Sequence, residues 1–206
     1  MGRVHIVYFM EDRAQEGFIK AIVERIAEEE GLALGNLLHD VRSARFGSKV
    51  IGSFRSFLRE MRKGKVFTPD VFVVAIDGNC RGYNDRVRQL KDKLRSTDAF
   101  RSAMVFAVPD PHIERWYLMD QRALKLGTGV TQAPQIPDYK CKKAYYKQVL
   151  QRALSPLQPL LGGAEFGERI AEKADLALLT AQNAGFGKFI ADLRAHFRTQ
   201  RLVNRS

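Results

Sequence analysis

Val71-Phe72-Val73-Val74-Ala75-Ile76-Asp77-Gly78-Asn79 is an apolar run that stops abruptly at a carboxylate and a glycine-bearing turn. Bounded by Pro69 before it and Gly78 after it, the run reads as a strand buried on both faces. The same event occurs near the N-terminus, where the apolar stretch from Val4 to Phe9 reaches Glu11-Asp12. In an open parallel sheet, ligands bind outside the carboxyl ends of the strands. Acids planted there meet in one crevice although they stand far apart in the chain.

Working outward, Phe18, Ile19, Ile22, Val23 and Ile26 recur at helical spacing as far as Gly31, and the stretch Leu32 to Val41 holds a short strand. Ile51, Phe54, Leu58 and Met61 form an apolar stripe with Arg55, Arg59 and Arg62 on an adjoining face. A helix is predicted from about Tyr83 to Leu94, and a strand from Met104 to Val108 ends at Pro109-Asp110-Pro111. There Asp110 reads as a helix N-cap, with proline at the first helical position. Strands alternating with helices predict an α/β fold, a parallel sheet flanked by helices. Gly127 to Pro137 has little apolar periodicity, and helical patterns follow over Lys140 to Leu154, Gly167 to Thr180 and Phe186 to Phe197. The expected organisation is an α/β core over 1–126 and, over 127–206, a loop and helical extension packed on it.

The 206 residues hold Lys+Arg 34 against Asp+Glu 23, a formal charge of +11 that favours a polyanionic partner. Cys80 and Cys141 lack any ligand-like spacing, so neither a disulfide framework nor a zinc site is expected. With no apolar run near the ~18 residues that span a bilayer, the expectation is a soluble, cytoplasmic protein with no membrane partner.

Strand-end carboxylates suit Mg2+ or Mn2+, hard cations that take oxygen ligands together with water and substrate phosphate. On so basic a chain, a bare acidic pocket would repel the polyanion that the surface attracts. A bound cation removes that conflict. Each acid also has a structural reading: Glu11 and Asp12 precede a helix, Asp77 opens a turn, and Glu114 stands in a first helical turn. His112 and Trp116 read more readily as structural.

Val7-Tyr8-Phe9-Met10-Glu11-Asp12 resembles the opening of TOPRIM domains, Ile76-Asp77-Gly78-Asn79 resembles their Asp-x-Asp motif, and Pro109 to Asp120 is similar to the Asn-Pro-x-x-Glu-x-Trp-Leu-Leu segment of RloB-type and OLD-type TOPRIM proteins of prokaryotes. The resemblance covers residues 4 to about 120. It implies a Rossmann-like TOPRIM core and Mg2+- or Mn2+-dependent nuclease chemistry with Glu11, Asp77 and Glu114 as catalytic acids, and the same three with Asn79 as metal ligands. It further implies anti-phage defence and a separately encoded ATPase partner, since this chain has no phosphate-binding glycine loop. Asp12 and Asn79 depart from the family pattern, in which glycine and aspartate are usual.

Nucleic acid, chiefly DNA, is the expected partner, with a homodimer as a further assembly. Its contacts are expected at Arg55, Arg59 and Arg62 and at Lys140, Lys142 and Lys143, the last three interleaved with Tyr139, Tyr145 and Tyr146. Between Asp40 and Lys65 there are eight Lys/Arg against two acids, and between Arg81 and Arg101 seven against three. Two alternatives stand beside the DNA nuclease. One is a nucleic-acid-binding or assembly subunit with a degenerate metal site, the other an RNA- or tRNA-directed nuclease.

Overall fold

The computed structural model describes residues 2–44, 47–93, 103–135, 138–142 and 144–203. Its centre is a parallel four-stranded sheet of β1 (Val4–Met10), β2 (Leu37–Ser43), β3 (Val71–Ala75) and β4 (Met104–Ala107), in the order β2-β1-β3-β4. Helix α1 (Arg13–Glu29) joins β1 to β2, α2 (Gly47–Arg62) carries the chain back across β1 to β3, and α3 (Tyr83–Lys93) leads on toward β4. Right-handed crossovers that reverse direction place their helices on opposite faces. Alternate strand residues accordingly feed two cores. Tyr8, Val73 and Val105 pack toward α1, whereas Phe9, Phe72, Val74 and Phe106 pack toward α2 and α3. The architecture is α/β, a parallel sheet flanked by helices as the alternation predicts, and is consistent with a Rossmann-like fold.

After β4 come α4 (Ile113–Met119), α5 (Gln121–Thr128), α6 (Tyr145–Leu154), α7 (Gly167–Lys173), α8 (Leu176–Gln182) and α9 (Ala184–Val203). All contribute to the α1-side core. Trp116, 1% exposed, meets Phe186 edge-to-face at 5.1 Å and stacks with Phe189 at 6.1 Å, joining α4 to α9. Arg25 on α1 donates to the carbonyls of Ala171 (2.6 Å) within α7 and of Ala174 (2.8 Å), its C-cap. Buried Glu30 accepts from Arg194 (3.0 Å) and Arg198 (2.8 Å) of α9, and those guanidiniums hold its carboxyl below the ordinary range.

Several local expectations are corrected. The short strand lies at Leu37–Ser43, following a 3-10 turn at Leu34–Asn36, and the helix expected from Lys140 begins at Tyr145. The pattern over Gly167 to Thr180 is two helices. Asp175 caps the second through the amides of Ala177 and Leu178, so the chain turns there. Asp110 is not a helix cap: α4 starts after His112, and Asp110 is buried, with its Oδ2 accepting from Tyr139 Oη at 2.7 Å. Cys80 and Cys141 are disulfide-bonded, contrary to the reading from their spacing; the loops that carry them meet in three dimensions.

Candidate functional site

β1 stands between β2 and β3, so the chain reverses its direction of growth at β1 and the carboxyl ends of β1 and β3 flank a topological switch point, where open α/β sheets bind ligands. Glu11 follows β1 directly, and Asp77 lies just past β3, where Ile76 N still donates to Ala107 O at 3.1 Å. Glu114 stands in the first turn of α4, beyond the end of β4. The topology thus carries all three acids to one end of the sheet.

Asp12 caps α1 by accepting from Gln15 N at 3.0 Å, which fixes the turn that presents Glu11. Gln15, 0% exposed, accepts from Glu11 N at 3.0 Å through Oε1 and donates to Asp77 Oδ1 at 2.9 Å through Nε2. A single amide therefore stitches the end of β1 to the end of β3. The other oxygen of Asp77 pairs with His112 Nδ1 at 3.0 Å. Gly78 is required beside it, because a Cβ there would stand 2.2 Å from Asp110 Oδ1.

Burial raises the carboxyl of Asp77 above its ordinary range despite the hydrogen bonds from His112 and Gln15. Burial and then the charge of Asp77 push Glu11 up to about 7, opposed by the guanidinium of Arg86. Burial likewise raises Glu114, with Asp77 adding to it. The hydrogen bond to Asp77 raises His112, and Glu114 and Glu11 act on it in the same direction. These groups share one electrostatic field. Among the described residues, no three His, Cys, Asp or Glu side chains form a group that could hold a metal ion as they stand, so the acids make a field and not a finished coordination sphere. Asn79 is exposed, its φ is 49°, and its amide donates to Asp77 O at 3.2 Å, turned toward its own loop.

Because its folded pKa lies above 4.5, Glu11 holds a proton between about pH 4.5 and 7 that the unfolded chain releases, so its contribution to stability falls as pH rises through that window. Glu11→Gln is therefore expected to melt higher than wild type at about pH 8 and to lose that advantage near pH 5. Thermal midpoints of both proteins in chelator, at both pH values, check this. A variant advantage independent of pH would remove Glu11 from the shared field.

Sequence reasoning missed Gln15 and Arg86. Gln15 stands four residues before Ile19 and seven before Ile22, an amide on the apolar stripe of α1, and that misplacement was its signal. Arg86 has a buried Nε without a hydrogen-bond partner among the described residues and acts on Glu11 from α3. Of the basic residues, Arg55, Arg59 and Arg62 are exposed on α2, where Arg55 Nε donates to Lys93 O at 2.9 Å. Lys140 and Lys142 are exposed, with Lys140 Nζ 5.1 Å from the Tyr145 ring centre. Lys143 lies outside the described residues, as do Arg45, Arg95 and Arg101 of the basic runs. No helix among the described residues is long and apolar enough to cross a membrane.

No family model, no curated protein and no solved structure matches this chain.

Proposed function

We propose that this chain is a metal-dependent phosphodiester hydrolase acting on nucleic acid, DNA in the first instance. The observation that carries the reading is the position of Glu11, Asp77 and Glu114 at the carboxyl end of the sheet beside its switch point, with Gln15 bonded to both Glu11 N and Asp77 Oδ1. An all-oxygen donor set matches the chemistry of Mg2+ or Mn2+, and Glu11, Asp77 and Glu114 would hold the ion once drawn closer together than they now stand. When bound, such a cation neutralises phosphate charge and lowers the pKa of a coordinated water. Gln15 and His112 keep Asp77 in a fixed orientation, and Arg86 offers a cation on the wall beside Glu11. The resemblance to TOPRIM nucleases at Glu11, Asp77-Gly78-Asn79 and Glu114 supports the same reading, and with it a setting in prokaryotic anti-phage defence beside an ATPase.

One observation favours a second reading. Both oxygens of Asp77 already accept hydrogen bonds and Asn79 faces its own loop, which suits a nucleic-acid-binding or assembly subunit whose metal site has lapsed. The purified chain, incubated with plasmid DNA, single-stranded DNA and tRNA in Mg2+, Mn2+ or chelator, separates the readings. Cutting of DNA that chelator stops supports the hydrolase. Cutting of tRNA alone changes the substrate, and binding without cutting in every condition selects the subunit.

The exposed arginines of α2 give an independent expectation. Replacing Arg55, Arg59 and Arg62 together by glutamine should lower the slope of log affinity against log salt by about 2–3 for duplex DNA. Titrations over a range of salt measure it. An unchanged slope would take this helix off the binding surface.

A further inference from the structure

The bond between Cys80 and Cys141 joins residues 61 apart in sequence, with Cα atoms at 5.5 Å, and it does so beside the acids. Asn79 and Cys80 form the turn that follows Asp77, closed by Arg81 N donating to Gly78 O at 3.1 Å. Asn79 at φ 49° and Cys80 at φ 67° are consecutive non-glycine residues in the left-handed region, a conformation that persists only where the surroundings impose it. Cys141 lies in the strap of residues 138–142, which has neither helix nor strand. That strap reaches back to the site. Tyr139 Oη donates to Asp110 Oδ2 at 2.7 Å beneath the guanidinium of Arg115, 4.9 Å from the ring centre, and Asp110 in turn abuts Gly78. Lys140 N donates to Tyr146 Oη at 2.9 Å, where α6 begins.

Two features set this bond apart from a structural staple. Both cysteines are exposed, open to an attacking thiolate, and neither belongs to either apolar core, so the packing of the fold rests elsewhere. An exposed disulfide that joins two irregular segments belongs to the labile class, and in a reducing compartment such bonds are transient or sensing.

We propose that Cys80 and Cys141 form a redox latch: closed, it clamps the lysine-bearing strap onto the turn that follows Asp77, and a dithiol opens it. One thiolate of the dithiol attacks a sulfur of the bond, giving a mixed disulfide and one cysteine thiolate, which takes up a proton. The second thiol of the dithiol then displaces the other cysteine. The dithiol leaves as its cyclic or intramolecular disulfide, and both electrons and both hydrogens reside on Cys80 and Cys141. Closing is the reverse exchange, with a disulfide as electron acceptor. Opening frees the backbone at Cys80 to leave the left-handed region and leaves the strap without its covalent tie to that turn. That the latch governs a functional site rests on the hydrolase reading; its existence does not.

The full chain is oxidised with glutathione disulfide or reduced with dithiothreitol, its thiols are titrated, and trypsin cleavage after Lys140 and Lys142 is followed by mass spectrometry. No free thiol is expected in the oxidised form and two in the reduced form. Cleavage in the strap should run about tenfold faster once the bond is open, the behaviour of a segment whose local opening has lost a covalent restraint. Cys80→Ser and Cys141→Ser should each be cut at the faster rate with or without dithiothreitol. Free thiols in the oxidised chain, or equal cleavage rates in the two forms, overturn the latch. Nuclease assays on the same two forms keep the ideas apart: no cutting of nucleic acid, with strap cleavage still redox-dependent, rejects the hydrolase alone.

Discussion

Asp77→Asn is expected to reduce metal-dependent cleavage by about 10³-fold or more, the scale on which removing one electrostatic contact at a reacting centre is felt. The substitution keeps the size of the side chain and removes its charge. It also sets an amide where Oδ2 now pairs with His112, so both cation affinity and the orientation of the imidazole are lost together. Burial opposes ionisation of Asp77, so removing the charge offsets part of the loss of the His112 bond, and the variant should remain folded at the assay temperature. Single-turnover cleavage of labelled DNA in Mn2+, with circular dichroism melts on the same preparation, reads both quantities. Cleavage within about tenfold of wild type would place the reacting centre elsewhere.

Trp116→Ala is the largest expected loss of stability, about 3–5 kcal/mol for truncating a fully buried aromatic. Its indole is the common neighbour of Phe18 on α1 (6.3 Å) and of Phe186 and Phe189 on α9, so the cavity would open between the sheet-covering helix and the end of the chain. Against a total of about 5–15 kcal/mol for a domain, that loss moves the urea midpoint far toward water. Equilibrium unfolding followed at 222 nm tests it, because the substitution removes the only tryptophan. A midpoint close to wild type would mean that the neighbouring rings refill the space.

What the sequence discloses and what it conceals divide along physical lines. The run Val71 to Ile76 ending at Asp77, and Val4 to Phe9 ending at Glu11, were legible because burial on both faces writes a local signature and an acid at a strand end interrupts it. Alternation of strands and helices sets Glu11 and Asp77 at the same end of a parallel sheet, but the adjacency of β1 and β3 comes from the α2 crossover and has no local signature. Gln15 was not legible as the link between them. Its two bonds depend on β1 and β3 lying side by side, and no window along the chain contains both partners. Asp110 illustrates competition between local and distant chemistry: Asp-Pro before a helical pattern is a good cap signal, but the phenol of Tyr139 claims the side chain from 29 residues away. The pairing of Cys80 with Cys141 was hidden for the same reason. The break between α7 and α8 had a local marker in Asp175, overlooked because the apolar period continues across it.

The aromatic wall that α9 lays against Trp116 has a consequence for how the chain can be cut or fused. A fragment stopped at residue 126 would strip Trp116 of Phe186 and Phe189 and α1 of the helices that cover it, and such a fragment is expected to precipitate. Any shortened descendant of this chain must bring its own lining for that side of the sheet.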